Sequence, residues 1–92
     1  MATKIAPAAL RDLLEGRAPF ALIDVREAGE YNSSHIPGAS PMARRQLEFL
    51  MRHAVPHPST PVVLCDDDGR RAPLAADTVE RMGYRNVAVL DG

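Results

Sequence analysis

Two short apolar runs set the limits on this fold. Phe20 to Val25 is nearly continuous and apolar, broken only by Asp24, and Val62-Val63-Leu64-Cys65 is wholly apolar. Runs this short, bounded by polar and turn residues, read as strands buried on both faces, the kind found in parallel sheets with helices on each side. The intervening segments have helical periodicity. Leu10, Leu13 and Leu14 share a face after Pro7, which suits a first helical turn because its missing N–H costs nothing there, and Gly16 is a stop signal. Leu47, Leu50, Met51 and Ala54 recur at i, i+3, i+4 and i+7, which predicts an amphipathic helix over 43–54. Ala72, Ala75, Ala76, Val79 and Met82 form a further stripe, with Pro73 tolerated in the first turn and Gly83 closing it.

Ile5 is expected in a short first strand or lead-in, and Val87 to Leu90 in a last strand. Ala28 to Asn32 reads as one or two helical turns. His35-Ile36-Pro37-Gly38-Ala39 has turn chemistry, with Pro fixing one φ and Gly freeing the next. Val55 to Thr60 contains Pro56 and Pro58 and reads as a loop. Alternating strands and helices argue for an α/β domain with a mostly parallel sheet. Ligands of such folds bind beyond the carboxyl ends of the strands. Here those ends carry Asp24-Val25-Arg26 and the loop after Cys65.

A chain of 92 residues supports one core, so residues 1–92 are expected to form a single domain. With two Tyr, two Phe and no Trp, that core must be aliphatic. A net charge of −1 argues against nucleic acid or an anionic membrane as partner. No apolar run approaches the length of a membrane span, and Met1 to Pro7 lacks the apolar stretch of a signal peptide. A lone cysteine forms no internal disulfide, which points to a reducing, cytoplasmic setting.

The loop Asp66-Asp67-Asp68-Gly69-Arg70-Arg71 joins a buried strand to a helix start. Such a loop aims several backbone N–H groups at one spot, and the helix dipole adds partial positive charge. A cysteine placed first in it would ionise easily and act as a nucleophile. An aspartate in that place has no such use. Its carboxylate is instead a built-in anion, able to occupy the N–H groups itself.

These stretches resemble the rhodanese-homology domain, the sulfurtransferase fold. The resemblance is carried by Ala21-Leu22-Ile23-Asp24-Val25-Arg26-Glu27, Glu30-Tyr31 and His35-Ile36-Pro37-Gly38-Ala39. It continues through Pro61-Val62-Val63-Leu64, Gly69-Arg70-Arg71-Ala72, and Gly83-Tyr84-Arg85-Asn86-Val87 to Leu90-Asp91-Gly92. It implies a three-layer α/β domain with a parallel sheet and helices on both faces, here without the family's last helix. Active members carry a loop resembling Cys-x-x-Gly-x-Arg, after a Pro and four strand residues. Laid on that pattern without a gap, Gly69 and Arg71 fall on the family glycine and arginine. Asp66 then stands at the nucleophile's position, and Cys65 is the last strand residue.

The expected function is therefore a non-catalytic member of the thiosulfate sulfurtransferase family, a structural or regulatory module. The alternative is an active sulfurtransferase passing sulfane sulfur through a Cys65 persulfide. A third reading takes the spacing from Cys65 to Arg71, Cys-x5-Arg, as phosphatase-like. Against the last two, Cys65 falls within the strand, and three adjacent carboxylates would raise a thiol's pKa and repel phosphate. Asp24 and Arg26 are expected to form a charged pair bracing the loops. His35 is expected to bond within its turn, and Arg44 and Arg45 to lie on a solvated face. His53 and His57 are separated by the helix-breaking Pro56, and Asp66, Asp67 and Asp68 cannot easily all face one ion, so neither a metal site nor a cofactor is expected. Tandem arrangement is common in the family, so two expectations stand for the chain: an excised piece of a longer, tandem protein, or a truncated domain. Its partner is expected to be a sister rhodanese domain or a second copy.

Overall fold

The computed structural model describes residues 3–16, 18–26, 39–43, 46–66 and 70–90. The described strands are β1 (Thr3–Ile5), β2 (Ala21–Asp24), β3 (Ser40–Pro41), β4 (Val62–Cys65) and β5 (Val87–Leu90); the helices are α1 (Pro7–Glu15), α2 (Leu47–Ala54) and α3 (Arg71–Arg81). The strands form one sheet in the order β1-β5-β4-β2-β3, and every neighbouring pair is parallel. This is the expected α/β architecture, a five-stranded parallel sheet with helices on both faces.

The register of β4 with β2 sets which side chains face which helix. Ala21, Leu22, Ile23 and Asp24 lie beside Val62, Val63, Leu64 and Cys65 in turn. Strand side chains alternate between faces. Ile23, Val62, Leu64, Val87 and Val89 therefore meet α2 and α3 through Leu47, Met51, Ala72, Ala75, Ala76 and Val79. Leu22, Val63 and Cys65 point the other way and pack with Leu10 of α1. The alanines of α3 are fully buried, and their small side chains let that helix lie close on the sheet.

Several elements depart from expectation for identifiable reasons. α2 starts at Leu47 rather than at 43. Its buried positions are Leu47 and Met51, whereas Leu50 is 42% exposed and Ala54 is exposed as well. Leu14 of α1, expected on the buried face, is 43% exposed, and the buried residue of that helix is Leu10. The strand β3 had no periodic signal, being two residues long with Pro41 as the second. Proline is accommodated there because β3 is an edge. The segments expected as helical turns at Ala28–Asn32 and as a turn at His35–Gly38 lie outside the described residues, as do Arg44 and Arg45.

The C-terminus of α3 is closed by Gly83, at φ 105. Its N–H bonds the carbonyl of Glu80, and the N–H of Tyr84 reaches back to Val79. A Cβ at Gly83 would meet nothing within 4 Å, so the backbone conformation alone demands glycine. Gly83→Ala is therefore expected to cost about 1–2 kcal/mol, read as a lower urea midpoint at unchanged slope.

Candidate functional site

The carboxyl ends of β2 and β4 bring Asp24 and Cys65 side by side, with Asp66 next along the chain. Val25 continues the ladder by donating its N–H to the Cys65 carbonyl, and Met42 donates to the Asp24 carbonyl. Three chain segments thus converge at one end of the sheet, where parallel α/β folds place their ligands.

Asp24 is 2% exposed, so its charge requires compensation. Arg26 supplies it. The guanidinium Nε donates to both carboxylate oxygens and Nη2 lies 2.8 Å from Oδ2, while the Arg26 backbone N–H donates to Oδ1 at 3.0 Å. The pair closes a tight turn at the end of β2 and fixes the direction in which the chain leaves the sheet.

Cys65 and Asp66 go to different places. The Cys65 side chain is buried in the α1 face, among Leu10, Leu22, Ala39 and Val63, and its thiol donates to the Ile23 carbonyl at 3.6 Å. Burial pushes the thiol pKa from the ordinary 9.0 to about 12; the Asp24 charge adds to this, Arg26 opposes it, and Asp66 adds a smaller upward push. At neutral pH this sulfur is a protonated core atom. The Asp66 carboxylate instead turns to the start of α3, where Oδ2 accepts the Ala72 N–H at 2.7 Å. Ala72 belongs to the core on the α2–α3 face of the sheet, opposite Cys65. The residue at the helix N-cap, Arg70, makes no side-chain cap of its own. Asp66 does this from six positions before Ala72, and its negative charge sits favourably at the positive end of the helix dipole.

Arg70 and Arg71 stand at the first turn of α3, the former exposed and the latter half-buried. Asp67, Asp68 and Gly69 lie outside the described residues. Among the described residues no group of three or more His, Cys, Asp or Glu could hold a metal ion, and no helix is long and apolar enough to cross a membrane. His53 and His57 are both exposed. Two contributors escaped the sequence reading: the Ala72 N–H as partner of Asp66, and the Ile23 carbonyl as partner of the Cys65 thiol. The second had a signal. Alternation along β4 puts Cys65 on the same face as Val63, and Asp66 beyond the strand end.

The chain belongs to the rhodanese-like domain family, whose model matches residues 6–92. Among solved structures it resembles a thiosulfate sulfurtransferase from Pseudomonas aeruginosa, with a TM-score of 0.93 and 33% identity over 98% of this chain but 17% of that one. It also resembles a human single-domain sulfurtransferase, with a TM-score of 0.82 and 26% identity over 98% of this chain and 89% of that one. Among curated proteins it is 33% identical over 86 residues to the centrosomal protein of 41 kDa of Rattus norvegicus, a match covering 80% of this chain. The chain spans only 24% of the length of that relative, and 22% of its Homo sapiens counterpart.

Three outcomes follow from this geometry. Cys65 in the native protein at pH 8 should react with iodoacetamide roughly a thousandfold more slowly than a free thiol, in proportion to its thiolate fraction, and unfolding in urea should abolish the difference. Because the folded thiol holds its proton more tightly than the unfolded one, this contribution to stability is complete below pH 9.0 and is lost as pH rises toward about 12. Arg26→Leu removes the guanidinium that pairs with the buried Asp24 carboxylate and should cost about 3 kcal/mol in urea denaturation at pH 7.

Proposed function

We propose that this chain is a non-catalytic rhodanese-like module in which Asp66 stands where active relatives keep their nucleophilic cysteine. The observation that carries the proposal is the bond from the Ala72 N–H to the Asp66 carboxylate, made while the Cys65 sulfur faces the opposite side of the sheet. A sulfurtransferase needs a thiolate at the helix N-terminus, where N–H groups and dipole stabilise the anion. Here a carboxylate takes that stabilisation. A carboxylate does not accept sulfane sulfur to form a persulfide, and its charge opposes entry of thiosulfate. Such a module serves as a structural or regulatory domain, working beside a sister rhodanese domain or a second copy in the cytoplasm.

The likeness to two sulfurtransferases favours a second reading, in which Cys65 carries a persulfide. One assay separates the two. With thiosulfate as donor and cyanide as acceptor, the wild-type protein should show no turnover and no adduct of about 32 Da, the mass of one sulfur. Asp66→Cys should gain that adduct, with Asp67 and Asp68 keeping its turnover low. Turnover by the wild type that disappears in Cys65→Ala would overturn the proposal in favour of the second reading.

A further inference from the structure

Of the eight residues of α2, Leu47 and Met51 are buried, while Phe49 is 81% exposed and Leu50 is 42% exposed. So narrow a buried stripe leaves the helix dependent on other ties, and these gather at its C-terminal end. The Arg52 guanidinium donates to the carbonyl of Met82, the C-cap residue of α3, at 2.6 Å. In return the buried Tyr84 hydroxyl donates to the carbonyl of Val55, the C-cap residue of α2, with the Met51 carbonyl 3.3 Å away. Each helix thus has its terminal carbonyls met by a side chain that belongs to, or directly follows, the other helix. The turn at Gly83 delivers Tyr84 to this position. A backbone bond from the Arg85 N–H to the Pro58 carbonyl, 3.2 Å long, ties the two following loops together. Burial pushes the ionisation of Tyr84 upward and the Arg52 charge works in the opposite direction, as expected for two groups that share one corner.

We infer that Arg52 and Tyr84 form a reciprocal clamp that makes the C-terminal ends of α2 and α3 open and close as one unit. The clamp sits at the opposite end of α3 from Asp66, and so anchors the helix whose first turn the carboxylate caps. Helix ends open locally unless their carbonyls are satisfied, and local opening is read by amide hydrogen exchange.

The test follows exchange of the Val55 and Gly83 amides by NMR in Tyr84→Phe, Arg52→Met and the double variant, with the Val63 amide in the sheet as internal reference. Each single variant is expected to raise exchange at both amides by roughly tenfold while Val63 changes little. The double variant should exceed the stronger single by much less than the product of the two effects. Acceleration confined to the helix that lost its own donor, or effects that multiply in the double variant, would overturn the inference. Arg52 is exposed, so Arg52→Met keeps the test decisive if Tyr84→Phe fails to fold.

Discussion

The pairing of β2 with β4 is the contact on which the rest of the molecule depends. Both strands are buried in the middle of the sheet, and their parallel register places Asp24 beside Cys65. That one alignment assigns Val62 and Leu64 to the α2–α3 layer, and Val63 and Cys65 to the α1 layer. A slip by one residue would exchange the two sets. It would turn the thiol toward the face on which α3 packs and disperse the aliphatic core on both sides. The apolar packing that holds the domain together is thus also what keeps its only thiol away from the helix N-terminus.

Electrostatics completes the division. The end of the sheet gathers carboxylates, and each described one has its own solution. Asp24 is buried and held by Arg26, while Asp66 is half-buried and takes the Ala72 N–H. The chemistry of an active rhodanese requires the N-terminal field of a helix to act on a sulfur. In this chain the same field acts on a carboxylate, while the sulfur, closed in by apolar side chains and with Asp24 nearby, is driven away from ionisation. The two adjacent residues differ in effect because a strand end separates them.

The fold was legible in the sequence wherever one periodicity dominated. Val62–Cys65 and Val87–Leu90 were read to the residue, because apolar runs bounded by turn residues leave little choice of ends. The stripe of alanines on α3 was equally clear. What escaped was set by tertiary context. β3 is too short to have a period, and Leu50 and Leu14 look like core on a helical wheel but are more than two-fifths exposed. At the site, the gap-free spacing from Pro61 located Asp66 beyond the strand. No sequence pattern, however, could show that its carboxylate reaches the second residue of α3. That contact joins two residues six apart in the chain across a strand end and a helix start, which is a matter of three-dimensional closure.

The central claim is a one-residue offset between the thiol the chain has and the position where a rhodanese uses one. It can be tested within a single molecule. Native Asp66→Cys protein carries adjacent thiols at positions 65 and 66; it is treated with limiting iodoacetamide at neutral pH, and the modified position is read by peptide mass spectrometry. Label is expected at position 66, with Cys65 unmodified until the protein is unfolded. Label at Cys65 in the native protein, equal to or ahead of position 66, would contradict it.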